Sequence, residues 1–373
     1  MTAPLDGVRV LDLSRLLPGP YLTQLLCDLG ADVIKLEAPE GGDYLRHLPP
    51  LCGEVSAVFA ALNRGKRSLA LDLKDAQGRD QFLDLCERVD VVVESFRPGV
   101  LERLKLGPEV LQARNPRLIL CRISGYGQQG PDALRAGHDL NYTARAGVLG
   151  MAAQPEVLPV QVADMVGGAL LPAIQILAAL RQRDREGHGA VIDAALVDGA
   201  WAMLVWPLAQ HLACGEPLQP GAGYLQGGIP AYNCYPTADG ALAVAALEPK
   251  FWEPLCEALQ RPDLRPMGVA TGEQGAAVKR ELEALFRTRT TERWMQLLEP
   301  LDCCVEPVRD PRRAHLEDPA LSRRDLVAEV EVSGQRVQLP LTPVVVGADT
   351  RSRLGPPALG QHSDEILAWL AGR

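Results

Sequence analysis

Apolar positions in the first third of the chain alternate between two rhythms. Five short runs rich in branched residues each read as a buried strand bounded by polar or turn residues: VRVLDL at 8–13, ADVIKLE at 31–37, KRSLALDL at 66–73, DVVVESF at 90–96 and RLILCRISG at 117–125. Between them, apolar residues recur three and four apart. YLTQLLCDLG at 21–30 reads as a helix ending on Gly30, and a second helix starts from Asp75 as N-cap and runs to about Val89. Apolar strands separated by helices predict a doubly wound, Rossmann-like α/β sheet. Ligands of such sheets bind at the carboxyl ends of the strands, where the loops SRLLPGP, LNRGKRS, SFRPG and SGYGQQGP are assigned.

The rhythm then lengthens. Residues 165–184 predict one long helix, and VIDAALVDGAWAMLVWPLAQHLA at 191–213 holds another, apolar on most faces and so buried or at a subunit interface. GEPLQPGAGYLQGGIP at 215–230 is a linker or mobile loop. NCYPTADGALAVAAL is a hairpin turning at Asp239-Gly240, followed by amphipathic helices near 250–260 and 276–300. VEVSGQRVQLP returns to strands, and SDEILAWLAG is a short helix. The expected division is a large domain at 1–214 completed by 331–373, the linker at 215–230, and a smaller α+β domain at 231–330.

Composition narrows the function classes. Apolar residues make up 47% of 373 residues, enough for a full core, and a net charge of −9 argues against general binding to nucleic acid or an anionic membrane surface. Nine cysteines, an odd number with no CxxC, read as reduced core thiols of a cytosolic protein. MTAPLDGVRVLDL has neither the basic nor the apolar region of a signal peptide, and the apolar stretch ALLPAIQILAAL at 169–180 is too short to span a bilayer.

No GxxxxGK[ST], no GxGxxG after the first strand, no GxSxG and no zinc-ligand spacing is present. The basic residues are concentrated instead in NRGKRS, with Asn63, Arg64, Lys66 and Arg67, and in Arg97 of SFRPG; each is a phosphate site or a solvated basic turn. His138, in RAGHDLNYTARAG, is either a surface histidine or a group that moves protons near neutral pH. Asp164, in QVADMVGG, is a helix N-cap or a fixed base or nucleophile, with Gly167 and Gly168 allowing close approach of a ligand. Glu248, before Pro249, is a helix-start residue or a site carboxylate.

Taken in order, GVRVLDLSRLLPGP, LGADVIKLEAPEGGD, NRGKRSLALDLK, VVVESFRPGVLERLKLG, NPRLILCRISGYGQQGP, GHDLNY, VADMVGG, GHGAVIDAALVDG, YPTADGALAVAALEPKFW and LGQHSDEIL span nearly the whole chain. Together they resemble the family III CoA-transferases, including the 2-methylacyl-CoA racemases. The resemblance implies a large Rossmann-like domain and a small domain, two chains interlocked as a homodimer, and a CoA thioester as substrate without a separate cofactor or metal. It implies CoA contacts from Asn63, Arg64, Lys66, Arg67, Arg97, Tyr126 and Asp139. In racemases, His138 and Asp164 would act as two bases on opposite faces of the α-carbon, with Glu248 hydrogen-bonding in the site. In transferases, Asp164 would be the nucleophile. A third expectation is a CoA-thioester binding protein without catalysis. The sequence departs from the racemase pattern at Ala38, Val160 and Gln226.

Overall fold

The computed structural model describes residues 3–344 and 354–372, apart from the side chains of 315–317. Backbone contacts divide the chain into two units. The larger runs to Ala146, resumes over Leu158–Met203 and takes the chain from Arg324; the second comprises Gly147–Val157 and Leu204–Arg323. The helix Val205–Cys214, read from sequence with the large domain, groups with the second unit.

A six-stranded, all-parallel sheet organises the larger unit. Its strands in chain order are Arg9–Asp12, Asp32–Glu37, Arg67–Ala70, Val91–Glu94, Ile119–Ser124 and Val191–Ala195. Side by side they run third, second, first, fourth, fifth, sixth. The order reverses between the first and fourth strands, which leaves a crevice beyond their carboxyl ends. Covered on both faces, the fourth strand buries Val91, Val92 and Val93 completely. Asp75 caps the helix Ala76–Cys86 as expected, accepting from the backbone N–H of Gln77 and Gly78. The sixth strand departs from the sequence pattern, which places VIDAA within a largely helical stretch. Its alternation of exposed Val191 and Asp193 with buried Ile192 and Ala194 is too short to stand out beside the apolar helix that follows.

The third strand lies at one edge of the sheet, and the C-terminal segment covers it. Ser68 N–H donates to His362 Nδ1 at 3.1 Å, His362 N–H donates back to the Ser68 carbonyl at 3.0 Å, and Ala70 N–H donates to Ser363 Oγ at 3.1 Å. The helix Ser363–Ala371 then drops Ile366 into the core beside Leu69 and Leu71.

Ala163–Glu186 is one continuous helical stretch of 24 residues, longer than the 12-residue apolar run read from sequence, and by length and composition it could cross a membrane. Half of its apolar window is buried inside the protein, as in a core helix. Its first part, Ala163–Leu170, is wound as a π-helix and gives way to α-helix at Leu171, one residue before Pro172, which has no N–H to return to the preceding turn.

The second unit carries a three-stranded antiparallel sheet, Val305–Pro307, Ala241–Ala245 and Tyr232–Pro236. The hairpin turns where Asp239-Gly240 predicted, and Asp239 also accepts from Thr291 N–H at 2.7 Å. The sequence pattern at 276–300 resolves into two helices, Gly272–Phe286 and Thr291–Leu298, divided by the Thr290 cap. Tyr235, Phe286 and Trp294 pack as an aromatic core.

Candidate active site

The loops leaving the first and fourth strands meet at the reversal point of the sheet. Arg15 N–H donates to Ser95 Oγ at 3.1 Å. The first of these loops is braced from beneath: buried Lys35 donates to the Ser14 carbonyl at 2.9 Å and pairs with Asp43 at 3.1 Å. Asp43 in turn accepts from Leu16 N–H at 3.4 Å, and Leu16 holds φ +65°, a conformation leucine adopts only under constraint.

Two cavities open on this crevice. The first, of about 330 Å³, is lined by Arg15, Tyr44, Arg97, His138, Tyr142 and Asp164 among others. The second, of about 540 Å³, has an apolar lining of Leu13, Leu36, Leu71 and Leu73, with Lys74 and Arg103 supplying cations. Arg15, Phe96 and Arg97 line both.

The GHDLNY stretch can be explained residue by residue. His138 is exposed at the N-cap of the helix Asp139–Arg145, where its N–H donates to Asn141 Oδ1 at 3.0 Å. Asp139 turns the other way, its Oδ1 accepting from the backbone N–H of Asp164 at 3.0 Å. One carboxylate thus ties the residue after His138 to the backbone of Asp164. Tyr142 is buried, with its hydroxyl donating to the Gly137 carbonyl at 2.6 Å. A Cβ on Gly137 would meet the Tyr142 ring at 2.7 Å, and one on Gly125 would meet it at 2.4 Å. Both glycines make room for that ring.

Asp164 stands in the first turn of the π-helix and is only partly exposed. Burial, reinforced by the nearby Asp139 charge, pushes its carboxyl up from 3.8 to about 7. A carboxyl poised there can release and take up a proton near neutral pH. The glycines after it serve packing rather than ligand approach. A Cβ on Gly167 would lie 2.6 Å from the Leu196 carbonyl oxygen, and one on Gly168 would lie 2.5 Å from Pro18 Cβ.

Of the residues assigned to CoA from sequence, Arg97 alone lines these two cavities. Asn63, Arg64 and Lys66 are buried. Arg64 forms a two-pronged pair with Asp28, 2.6 Å on each side. Lys66 reaches beneath the first helix, Pro18–Asp28, to Asp12 at 3.1 Å, Thr23 Oγ1 at 2.7 Å and Asn63 Oδ1 at 2.9 Å. Arg67 pairs with Asp32 and Glu365. The assignment of NRGKRS to the carboxyl ends is corrected: this loop enters its strand, at the amino end, and its Arg64 and Lys66 neutralise buried carboxylates. Tyr126 packs edge-on against Tyr142, ring centroids 5.1 Å apart, and lines neither cavity. Asp139 lines neither cavity and accepts from the Asp164 backbone. Glu248 lies in the second unit, exposed at the N-cap of the helix Pro249–Ala258. Sequence reasoning passed over Arg15, Lys74 and Arg103. The signal available for Arg15 and Lys74 was position, since each closely follows a strand of the sheet.

Among the described residues no group of His, Cys, Asp or Glu is arranged to hold a metal ion, and all nine cysteines are free thiols.

The profile of CoA-transferase family III matches residues 5–363. The chain is 37% identical to the alpha-methylacyl-CoA racemase of Homo sapiens over 97% of its length and 92% of that protein. It is 35% identical to the succinyl-CoA:mesaconate CoA-transferase of Haloarcula hispanica, covering 97% of this chain and 95% of that one. A solved structure of a CAIB/BAIF family protein from Brucella suis superposes with a TM-score of 0.84 at 32% identity, covering 99% of this chain and all of that one (100%). A chain matched over nearly its full length by profile, relatives and fold, with a doubly wound sheet behind a histidine and an aspartate in one cavity, belongs to CoA-transferase family III.

Proposed function

We propose that the protein epimerises the α-carbon of a 2-methylacyl-CoA thioester by two-base proton transfer. The observation that carries this reading is that His138 and Asp164 line one cavity at the reversal point of the sheet. The CoA moiety would occupy the larger adjoining cavity, its adenine against the leucine lining and its phosphates near Lys74, Arg97 and Arg103. Ala38, where racemases carry a basic residue, also lines that cavity, and these cations would supply the missing charge. One base removes the α-proton, an enolate forms, and the other returns a proton to the opposite face. Asp139 would hold Asp164 in place through the backbone, acting as a positioning residue. The test is deuterium uptake from heavy water into a 2-methylacyl-CoA. Uptake lost in both His138→Ala and Asp164→Ala supports two bases; uptake surviving both removes the reading.

Transfer of CoA to a carboxylic acid is the second reading, favoured by Asp164 being the only carboxylate among the described residues that line the first cavity. Its carboxylate would attack the thioester carbonyl, expelling CoA thiolate and leaving an acyl-aspartyl anhydride. The thiolate then attacks the aspartyl carbonyl, releasing the donor acid and leaving an aspartyl-CoA thioester for the acceptor carboxylate. Trapping that thioester with hydroxylamine would exclude pure racemisation. Binding without turnover of any thioester would leave the third reading, a non-catalytic binder.

The reading includes an interlocked homodimer. The helix Val205–Cys214 has no buried residue, and Val205 and Leu212 are each 71% exposed, which suits coverage by a second copy. A monomer by equilibrium sedimentation would contradict it. The free thiols fit a reducing, cytosolic compartment.

A further inference from the structure

We infer that Arg15 is an anchor for a free carboxylate on the acyl substrate, so that the preferred substrate is a dicarboxylic acid joined to CoA through one end. This inference rests on the reading of the Asp164 cavity as the acyl site and adds the class of acyl group.

Every buried cation among the described residues faces a carboxylate: Lys35, Arg46, Arg64, Lys66, Arg122 and Arg183 are all paired. Arg15 is the opposite case. Its guanidinium has no hydrogen-bond or ion-pair partner among the described residues, although it lines the cavity that holds Asp164. It is held rather than loose. Its backbone N–H is fixed on Ser95, and its guanidinium lies 5.5 Å from the Phe96 ring and 6.0 Å from that of Tyr44. The loop that presents it is braced by the buried Lys35–Asp43 pair and carries the constrained Leu16. An exposed guanidinium with its donors unused by the described residues, presented from a braced backbone to an acyl chamber, is a fork that fits a carboxylate.

Charge balance points the same way. Three arginines line this cavity against a single acid, Asp164, and of the three only Arg135 has an ion-pair partner among the described residues, Asp132 at 3.6 Å. Burial pushes the Asp164 carboxyl up to about 7, so near that pH it offsets only part of this positive charge. A plain aliphatic tail seated there would strip water from Arg15 and give nothing back. A tail ending in a carboxylate would pair with it.

The test uses two thioesters that differ only at the chain end, 2-methylpentanoyl-CoA and 2-methylglutaryl-CoA. Their affinities for the intact protein and for Arg15→Met and Arg15→Lys are measured by calorimetry, with free CoA as a third ligand. The carboxylate-bearing thioester should bind the unaltered protein about tenfold or more tightly than its neutral counterpart. The ratio should fall to near unity in Arg15→Met and recover in part in Arg15→Lys. A preference for the neutral chain overturns the inference. So does a ratio that survives Arg15→Met, or a loss in Arg15→Met shared equally by both thioesters and free CoA, which would assign Arg15 to the CoA phosphates. Because affinity is read without turnover, the two failures separate. Preference with no reaction on either thioester retains the anchor and removes the proposed chemistry; α-proton exchange without preference does the reverse.

Discussion

Arg64 and Lys66 stand in a loop that enters a strand, whereas Arg15 and Arg97 stand in loops that leave one. The first pair is fully enclosed and bonded to Asp28 and Asp12. The second pair is exposed, lines both cavities and has no carboxylate partner among the described residues. Residue type does not separate them; the end of the parallel strand does. At the amino end the chain passes beneath the first helix, where a cation survives only if neutralised. At the carboxyl end between the first and fourth strands, the reversal of strand order leaves open space and a cation is free to meet a ligand.

Breaking the enclosed set should have the largest effect. Asp12→Asn leaves Lys66 without its counter-charge and should cost about 3–5 kcal/mol of stability, read from urea unfolding. An unaltered midpoint would make this network dispensable and weaken the contrast.

Asp164 belongs to the open region but carries a strain that the enclosed pairs lack. Its folded carboxyl holds a proton up to about pH 7, against 3.8 ordinarily. The unfolded chain binds fewer protons across that window, so folding loses stability as pH rises from about 4 to about 7, and the penalty is complete above it. Asp164→Asn should therefore be more stable than the unaltered protein by about 2 kcal/mol at pH 8, after allowance for solvent screening, and near parity at pH 4. In the unaltered protein kcat/KM should rise through about pH 7 as Asp164 ionises. A stability difference that does not vary with pH would contradict the placement.

A smaller effect of the opposite kind is expected at Arg97. Arg97→Gln should raise KM for acyl-CoA about tenfold, the value of one charge-assisted contact, while the unfolding midpoint moves by less than about 0.5 kcal/mol. The smallest is Arg67→Gln. Arg67 is the partly exposed member of the basic run, with 24% of its side chain accessible, and its pairs with Asp32 and Glu365 should contribute about 0.5 kcal/mol or less. A large loss there would place Arg67 with the enclosed group.

Much of this was legible in the pattern of residues. Five strands of the main sheet and its parallel character follow from apolar runs between helices, and the Asp239-Gly240 hairpin from its turn dipeptide. The motif around His138 and the aspartate at the helix start were visible as chemistry before any fold was known. What escaped has physical reasons. Val191–Ala195 is a strand because a neighbour at Ile119–Ser124 pairs with it, and pairing partners are not written locally. NRGKRS reads as a phosphate site because sequence shows charge but not the carboxylates, 35 to 298 positions away, that cancel it. Gly167 and Gly168 looked like ligand clearance because the Leu196 backbone and Pro18 that fill the space are remote in sequence.

The clamp of His362 and Ser363 on the third strand carries a consequence for biosynthesis. The strand leaves the ribosome nearly three hundred residues before its cover, with Ala70 and Ser363 separated by 293 positions. At about 5–20 residues per second the nascent chain would present that bare edge for roughly 15–60 s. An unpaired strand edge is a template for pairing with other chains. Truncation of the last dozen residues should then act mainly on yield, by directing newly made chains into aggregates before they can close.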